Sequence, residues 1–552
     1  MAMSTMPIVL AGRAALEHAT PAGFQAQWRA LYDSCPWATA CQHPDFVLPW
    51  YALYGARYLA VLVVETRGDG SLAGLLPLAL EGSRRLCGAG DQQAEYQGWL
   101  QAPGSDPGFI VRAVRVLRAR YAHADLGLKY LPAGIALDGV DATGELGGNC
   151  LWRRHRRPLM RTEAGAMDRQ RSKKNHRQNV NRLNRSGQVR FERITDHAQF
   201  VQVLGAICRQ YDFRQAALYR AMPFANDAAK RLFCLALHRR GLLHVTILTV
   251  GGDLAAAHLG LLSAGRAVHL GVNTHDPARA AHSPGNLLLA MLGVHLAEEG
   301  TPWLDLTPGG DGYKESFASE HDTVLELVLY ANAARRWRAQ LLRGIAAFAR
   351  ARLRQAGVDA TGLRALRMQL REWPWGPVQR WLNRLRPASR PGLLRYAGTR
   401  PPGADGMLVS KNRLEDILRF DAGASPARYS AFLDTVMKRM ERAQHLYTFI
   451  QDGTLALSCW ARTQAASEAP SAGAAAGEGV VLSDLYVHRR YQGSALVEGF
   501  VRQLLHELAI QPPGEILYRG VASASSRAAL ARCGFVDAAA SGSQAAHGLA
   551  CR

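Results

Sequence analysis

The chain has 552 residues, of which 48% are hydrophobic and 20% are charged. This composition excludes a mainly disordered, collagen-like or coiled-coil chain, and the length predicts three or four domains. The basic residues outnumber the acidic ones, 66 to 45, which gives a formal net charge of +21.

Residues 1–160 alternate between helical and strand patterns, which is typical of an α/β unit. The predicted elements, in chain order, are helices at 23–34 and 45–54, strands at 58–65 and 72–80, a helix at 109–121 and a strand at 125–130. A second unit at 161–330 has the same mixture of helical and strand patterns. Its predicted elements are a basic helix at 171–185, strands at 189–195, 243–250, 254–263, 267–273 and 303–307, helices at 197–211, 227–240 and 284–299, and a strand at 322–330.

The C-terminal part divides into a connector and a third unit. Residues 331–404 are basic and helical at first and rich in proline later, which predicts a helical connector that ends in a linker. Residues 405–552 return to mixed text, with helices predicted at 426–444, 494–509 and 523–533 and strands at 447–451, 455–462, 480–487 and 515–521. The fold class that we predict is α/β of the α+β type, with mixed central sheets flanked by helices.

The positive charge is concentrated in two segments. Residues 151–190 hold eleven Arg and two Lys against two acidic residues, and residues 331–400 hold sixteen Arg against two acidic residues. The first segment could bind CoA phosphates, a charged carrier or aminoacyl-tRNA, or could be a solvated helix. The second carries Trp337, Leu341, Ile345 and Phe348 at helical spacing. It could lie on an anionic membrane or pack on its own unit.

The strongest local signal lies at 480–508, where a hydrophobic strand leads through a short loop into an amphipathic helix. A glycine at the start of a helix lets backbone N–H groups approach an anion, which the helix N-terminus also attracts. The loop residues that we expect to form this anion site are Arg489, Arg490, Gln492, Gly493, Ser494 and Ala495.

This loop resembles motif A of the GNAT N-acetyltransferases, which binds the pyrophosphate of acetyl-CoA, and the resemblance covers about 405–552. It implies Asp484 as the base for a substrate amine and Val487 as part of the strand whose N–H groups stabilise the oxyanion. Protonation of the leaving group would come from Tyr486, from water or from no dedicated acid. The chain departs from the family at Ser523, where many members have Asn, and at Leu530, where many have the Tyr that serves as the general acid.

A second anion site is predicted where Ser283 and Gly285 flank Pro284 at the start of a helix. The sequences SPGNLLL at 283–289 and DLTPGGDGYK at 305–314 resemble the CelD/BioF-like, FemAB-like acetyltransferase family, over about 20–330. The resemblance implies tandem GNAT-like halves, with Asp305 and Lys314 either activating a substrate amine or forming a structural ion pair.

Together these features predict an N-acyltransferase that uses acetyl-CoA or another acyl-CoA and no metal. The acceptor would be a small-molecule or sugar amine, in bacterial exopolysaccharide, cellulose or cell-envelope biosynthesis. The alternatives are a FemAB-type aminoacyl-tRNA-dependent transferase and a non-catalytic scaffold with degenerate domains. No CxxC pair, targeting segment or membrane span is visible, so we expect a cytoplasmic protein with reduced thiols, in peripheral contact with a membrane through 331–400 if that segment binds lipid.

Overall fold

The computed structural model describes residues 5–137, 147–163, 165, 174–263, 267–355, 392–398, 406–423, 426–464, 479–493, 495–509, 515–520 and 523–538. The chain forms two compact units. The larger one contains Met1–Gly205, Asp227–Asn273 and Gly285–Arg371, and the smaller one contains Ala206–Asn226, Thr274–Pro284 and Glu372–Arg552. Two stretches from the middle of the chain thus group with the C-terminal region, a division that differs from the sequence-based ranges.

A mixed sheet of 13 strands runs through the larger unit. Its strands are β1 (Ile8–Ala11), β2 (Tyr58–Thr66), β3 (Leu72–Glu81), β4 (Arg85–Gly88), β5 (Leu100–Gln101), β6 (Asp125–Leu131), β7 (Cys150–Arg161), β8 (Val189–Ile194), β9 (Leu243–Val250), β10 (Asp253–Ser263), β11 (Ala267–His275), β12 (Trp303–Asp305) and β13 (Glu320–Leu329). Their spatial order is β1-β2-β3-β4-β6-β13-β7-β12-β11-β10-β9-β8, and β5 pairs with β3.

Helices alternate with these strands in the chain, and several of them turn an apolar face toward the sheet. The helices are α1 (Arg13–Ala19), α2 (Ala22–Asp33), α3 (Pro44–Tyr54), α4 (Phe109–Arg120), α5 (Lys174–Ser186), α6 (His197–Tyr219), α7 (Ala228–Arg239), α8 (Pro284–Glu298), α9 (Gly312–Phe317) and α10 (Ala333–Gln355). In α4, for example, Phe109, Ala113 and Leu117 recur every four residues and pack into the core formed with β2, β3 and β6.

The long central strand β7 is absent from the sequence-based prediction, which treated its arginines as part of one basic segment. β7 pairs with β13 on one side and with β12 on the other. Arg157 Nε lies 2.7 Å from Asp322 Oδ1, Arg153 Nη1 lies 3.3 Å from Glu326 Oε2, and Arg161 Nε lies 3.2 Å from Glu320 Oε1. Cross-strand pairs of opposite charge stabilise neighbouring strands, so these arginines stabilise the pairing of β7 with β13.

The smaller unit contains a sheet of seven strands in the order β15-β16-β17-β18-β19-β14-β20. The strands are β14 (Gly392–Tyr396), β15 (Ser410–Lys411), β16 (His445–Gln451), β17 (Thr454–Gln464), β18 (Gly479–Val487), β19 (Ile516–Gly520) and β20 (Phe535–Asp537). The helices are α11 (Leu414–Ile417), α12 (Pro426–Glu441), α13 (Ala495–Ala509) and α14 (Ala524–Arg532). β14 lies within the range predicted as a linker, because its short apolar stretch pairs between β19 and β20.

Three pairs of neighbouring strands are parallel: β4 with β6, β11 with β12, and β18 with β19. In each case a helix lies between the two strands in the chain, namely α4, α8 and α13. The same strand–helix–strand unit therefore occurs three times, twice in the large sheet and once in the small one. The predicted fold class, mixed sheets flanked by helices in tandem, is confirmed.

Two general expectations concern the membrane and the thiols. Within the described ranges, none of the helices combines the length and the apolar character needed to cross a bilayer. The eight cysteines in those ranges are buried and form no disulfide.

Candidate active site

The parallel strands β11 and β12 pair with each other over only two residues. They pair at Val268 with Leu304 and at His269 with Asp305. β12 ends at Asp305, whereas β11 continues beyond His269. Strands that separate in this way leave backbone groups that no longer pair with each other, and those groups can bind an extended ligand.

Asp305 lies at this point of separation and is only 1% exposed. Its Oδ2 accepts hydrogen bonds from Tyr96 Oη at 2.5 Å, His269 Nδ1 at 2.9 Å and Arg157 Nη1 at 3.2 Å. Its Oδ1 accepts the Thr307 N–H at 2.8 Å. Three donors thus share Oδ2 and one meets Oδ1, within a side chain that is almost fully buried. This arrangement suits an organising carboxylate, because its oxygens bind neighbouring groups of the protein and are enclosed by them.

Asp305 stays ionised because hydrogen bonds and neighbouring positive charges lower its pKa by more than burial raises it. Burial alone raises the pKa of this carboxyl group, but the hydrogen bond and charge of His269, the charge of Arg157 and the hydrogen bond of Tyr96 lower it below its ordinary value. Its contribution to folding stability is present above the ordinary pKa and is lost as the pH falls through the lowered one.

His269 extends the network to a serine. His269 Nε2 lies 2.6 Å from Ser263 Oγ, so Ser263, His269 and Asp305 form a hydrogen-bonded chain in the order found in hydrolase triads. However, Ser263 is 3% exposed and its oxygen already accepts the Ala40 N–H at 2.8 Å. Ser263 is thus enclosed, and its hydrogen bond holds the orientation of the His269 ring.

Thr307 follows β12 in a left-handed conformation, with φ 59°. This region is unfavourable for a β-branched residue and persists only where the surroundings hold it. Asp305 accepts the Thr307 N–H, and Lys314 Nζ donates to Thr307 Oγ1 at 3.1 Å and lies 3.3 Å from Thr307 O. The two residues predicted from the DLTPGGDGYK sequence therefore meet on one strained turn.

Lys314 is on the short helix α9 and is 6% exposed. Burial lowers the pKa of its ammonium group, although the charges of Asp311, Glu95 and Asp305 oppose this shift. A buried lysine of this kind is neutral more often than a surface lysine, and its amine can accept a proton. Lys314, unlike Asp305, thus has the chemistry of a general base.

The helix α8 begins at the predicted Pro284, and Gly285 lies in its first turn. Ser283 precedes it with φ 51° and ψ 51°, a left-handed conformation that differs from the extended one of most N-cap residues. The first-turn N–H groups of a 15-residue helix suit a phosphate group. This helix connects the two separating strands.

In the smaller unit the parallel strands also separate. β18 pairs with β19 from Val480 to Ser483, and a bulge follows at Asp484, which has φ 49°. The Asp484 carboxylate forms an ion pair with Arg439, whose guanidinium also lies over the Trp460 ring at 4.9 Å. A general-base role for Asp484 would require this ion pair to open.

The predicted anion loop of the smaller unit has the expected backbone. Gly493 has φ 76°, a conformation that favours glycine, and α13 starts at Ala495. Arg489 is exposed, Gln492 and Gly493 are on the surface, and Arg490 N donates to His488 Nδ1 at 3.3 Å. Ser494 lies outside the described residues. Val487 pairs with Leu457 on β17.

The two departures from the GNAT pattern have structural roles. Ser523 caps α14 by accepting the Ser526 N–H at 3.1 Å, and Leu530 is buried in the core. Tyr486 is half-buried near Phe420, and burial raises its pKa, so its phenol keeps its proton at neutral pH. Tyr486 can therefore still donate a proton, while Leu530 cannot.

One group of potential metal ligands occurs in the described part of the chain. His244, His295 and Glu299 place their ligand atoms within 4.8 Å of one another. His244 Nε2 lies 3.0 Å from Glu299 Oε2, and Arg193 Nε lies 3.5 Å from Glu299 Oε1. Arg193 offsets the charge of Glu299, while the buried His244 Nδ1 has no hydrogen-bond partner among the described residues.

The segment that contains α5, β11, α8 and α9 has a known counterpart. Residues 170–315 match the family model described as an acetyltransferase (GNAT) domain. The chain carries a GNAT acyltransferase domain. A comparison with curated proteins found no significant relative.

Several solved structures resemble the GNAT-containing chain. A tandem GNAT protein from the clavulanic acid biosynthesis pathway is 14% identical, with 59% of this chain and 99% of that one covered and a TM-score of 0.36. FemX is 10% identical, with 57% and 98% covered and a TM-score of 0.40. The C-terminal domain of a putative lysylphosphatidylglycerol synthetase from Agrobacterium fabrum is 12% identical, with 57% and 96% covered and a TM-score of 0.38.

Proposed function

We propose that the GNAT domain at 170–315 transfers an acyl group from acyl-CoA to an amine in the cytoplasm. The supporting observation is the brief parallel pairing of β11 with β12, which ends at the buried His269–Asp305 contact beside the strained turn of Thr307. The CoA phosphates would bind at the first turn of α8, around Gly285. The thioester would lie between the separating strands, beside the part of β11 that continues beyond His269.

In the proposed reaction the acceptor amine attacks the thioester carbonyl carbon. The acceptor ammonium first gives one proton to the neutral amine of Lys314, which burial makes available. A C–N bond then forms and the C–S bond breaks. The second amine proton goes to the departing thiolate, directly or through water, so that the products are an amide and CoA thiol. Asp305 acts as a positioning residue, because it fixes Tyr96, His269 and the Thr307 turn.

The acceptor that we propose is a sugar amine or another small-molecule amine of exopolysaccharide or cell-envelope synthesis. This part of the proposal rests on the CelD/BioF-like resemblance of residues 283–289 and 305–314. A panel of amines, with release of CoA thiol as the readout, tests it directly.

Acetyl-CoA at a hundredfold excess over its dissociation constant is expected to stabilise the full-length protein by about 2.7 kcal/mol. The measurement is the shift of the melting transitions. Gly285→Trp, which crowds the first turn of α8, should abolish the shift if the GNAT domain holds the ligand. Gly493→Trp is the matched change in the smaller unit and should leave that shift in place. An absent shift at millimolar acetyl-CoA would contradict the proposal.

A second candidate is transfer of an aminoacyl group from aminoacyl-tRNA. The observation that favours it is the helix α5, on which Arg182 and Arg185 are exposed while Leu183 is buried against β9 and β10. Such arginines bind phosphate backbones in a salt-dependent way. If this candidate is right, tRNA binding should weaken steeply with salt, and Arg182→Glu with Arg185→Glu should remove it while the acetyl-CoA shift is unaffected.

A further inference from the structure

The helix α10 (Ala333–Gln355) is unusual because arginines, and not its apolar face, contact the rest of the larger unit. Arg335 Nη1 lies 3.2 Å from both His123 O and Asp125 Oδ1, and Arg336 Nη1 donates to Gly148 O at 3.0 Å. Asn332 Oδ1 also accepts the Arg335 N–H at 2.9 Å, which caps the helix start. The beginning of the helix is therefore held in place by arginine contacts.

The apolar side chains of α10 point to the outside. Trp337, Leu341, Ile345 and Phe348 are spaced by four, four and three residues, so they share one face of the helix. Their exposed fractions are 66%, 47%, 57% and 64%, and Leu342 beside them is 56% exposed. A surface helix of a globular protein normally turns such a stripe toward the core. Here the amphipathic arrangement is inverted.

The charge of α10 indicates what can cover this face. The helix contains seven arginines and no acidic residue. A second copy of the same helix would bring two strongly positive surfaces together, which is unfavourable. Residues 356–391, which follow in the chain, carry seven arginines against two acidic residues, so they also lack the complementary charge. The partner that fits must be apolar and negatively charged at once.

We propose that α10 lies in the interface of an anionic lipid membrane. Its apolar face would enter the boundary between head groups and acyl chains, and the arginines beyond Arg336 would contact anionic head groups. Trp337 and Phe348 suit the interface because aromatic rings are preferred there. Arg352, whose guanidinium lies 5.3 Å from the Phe348 ring centre, can extend from the apolar face to the head groups. This binding is separate from acyl transfer and does not depend on it.

The test is flotation of the full-length protein with vesicles. Wild-type protein should float with vesicles of mixed phosphatidylglycerol and phosphatidylcholine, should float less at high salt, and should stay at the bottom with phosphatidylcholine alone. The double variant Ile345→Glu and Phe348→Glu should float about tenfold less. The matched control is Leu232→Glu, which changes an apolar residue of α7 that is 54% exposed, and it should float like wild type.

Other outcomes would overturn the proposal. Failure of the wild-type protein to float with anionic vesicles at low salt would contradict it, as would equal flotation with and without phosphatidylglycerol. A dimer in sedimentation that Ile345→Glu and Phe348→Glu dissociates would assign the face to a second copy instead. Because both substituted positions are exposed, the melting transitions should match wild type, and the acetyl-CoA shift of the same variant shows that the fold is intact.

Discussion

Replacing Asp305 with asparagine is expected to reduce acyl transfer and to destabilise the larger unit by about 3 kcal/mol. The amide loses the charge that binds Tyr96, His269 and Arg157, and its NH2 group would face donors at a site that is closed to water. The turn at Thr307 loses its anchor at the same time. The measurements are the melting transition by calorimetry and the rate of CoA thiol release.

The matched control for Asp305→Asn is Glu320→Gln on the neighbouring strand β13. Glu320 also pairs with an arginine of β7, Arg161, but its side chain is 51% exposed. Exposed ion pairs contribute about 0–1 kcal/mol, so this variant should resemble wild type in stability and in activity. Equal melting of the Asp305 and Glu320 variants would show that the buried network does not organise the site.

Replacing Lys314 with methionine should separate activity from stability. Loss of a general base lowers a rate by about 10²–10⁴-fold, so thiol release should fall by this factor. Stability should fall much less than in Asp305→Asn, because the hydrogen bonds lost at Thr307 are offset by removal of the cost of burying an ammonium group. Asp305→Asn, in contrast, should lower both the rate of thiol release and the stability.

The pH dependence of the reaction rate tests independently whether Lys314 is the general base. Because its pKa is lowered in the folded protein, the wild-type rate should rise with pH through that lowered pKa, which lies below the range of an ordinary lysine. The folded protein also binds fewer protons than the unfolded chain between the two pKa values, so stability should rise with pH across that window. Lys314→Arg keeps the charge but cannot lose its proton. A fully active Lys314→Arg enzyme would contradict the base assignment.

The local motifs were accessible to sequence reasoning because their chemistry lies within a few neighbouring residues. Pro284 begins α8 as its position predicted, and α13 begins at Ala495, directly after the predicted loop. Lys314 and Asp305, nine residues apart, do meet at Thr307. In these cases a turn or a helix start sets the geometry, and both are determined over short distances.

The rest of the candidate site depends on distant parts of the chain. Tyr96 lies in the loop between β4 and β5, and Arg157 lies on the central strand β7. Only the tertiary fold brings both side chains to Asp305. His269 belongs to none of the sequence motifs described above, yet it binds Asp305 because β11 and β12 pair in parallel at that register. Register between strands far apart in sequence is a tertiary property.

The arginine excess also shows the difference between what the sequence determines and what the tertiary structure determines. The sequence by itself determined that the protein has mixed sheets flanked by helices, a GNAT domain within its second unit, and an arginine excess confined to two segments. Only the tertiary structure decided what those arginines do. In β7 they meet the carboxylates of β13, because strand pairing places opposite charges side by side. In α10 the first of them attach the helix to the larger unit, and the apolar face is left outside because the arginine face occupies the contact.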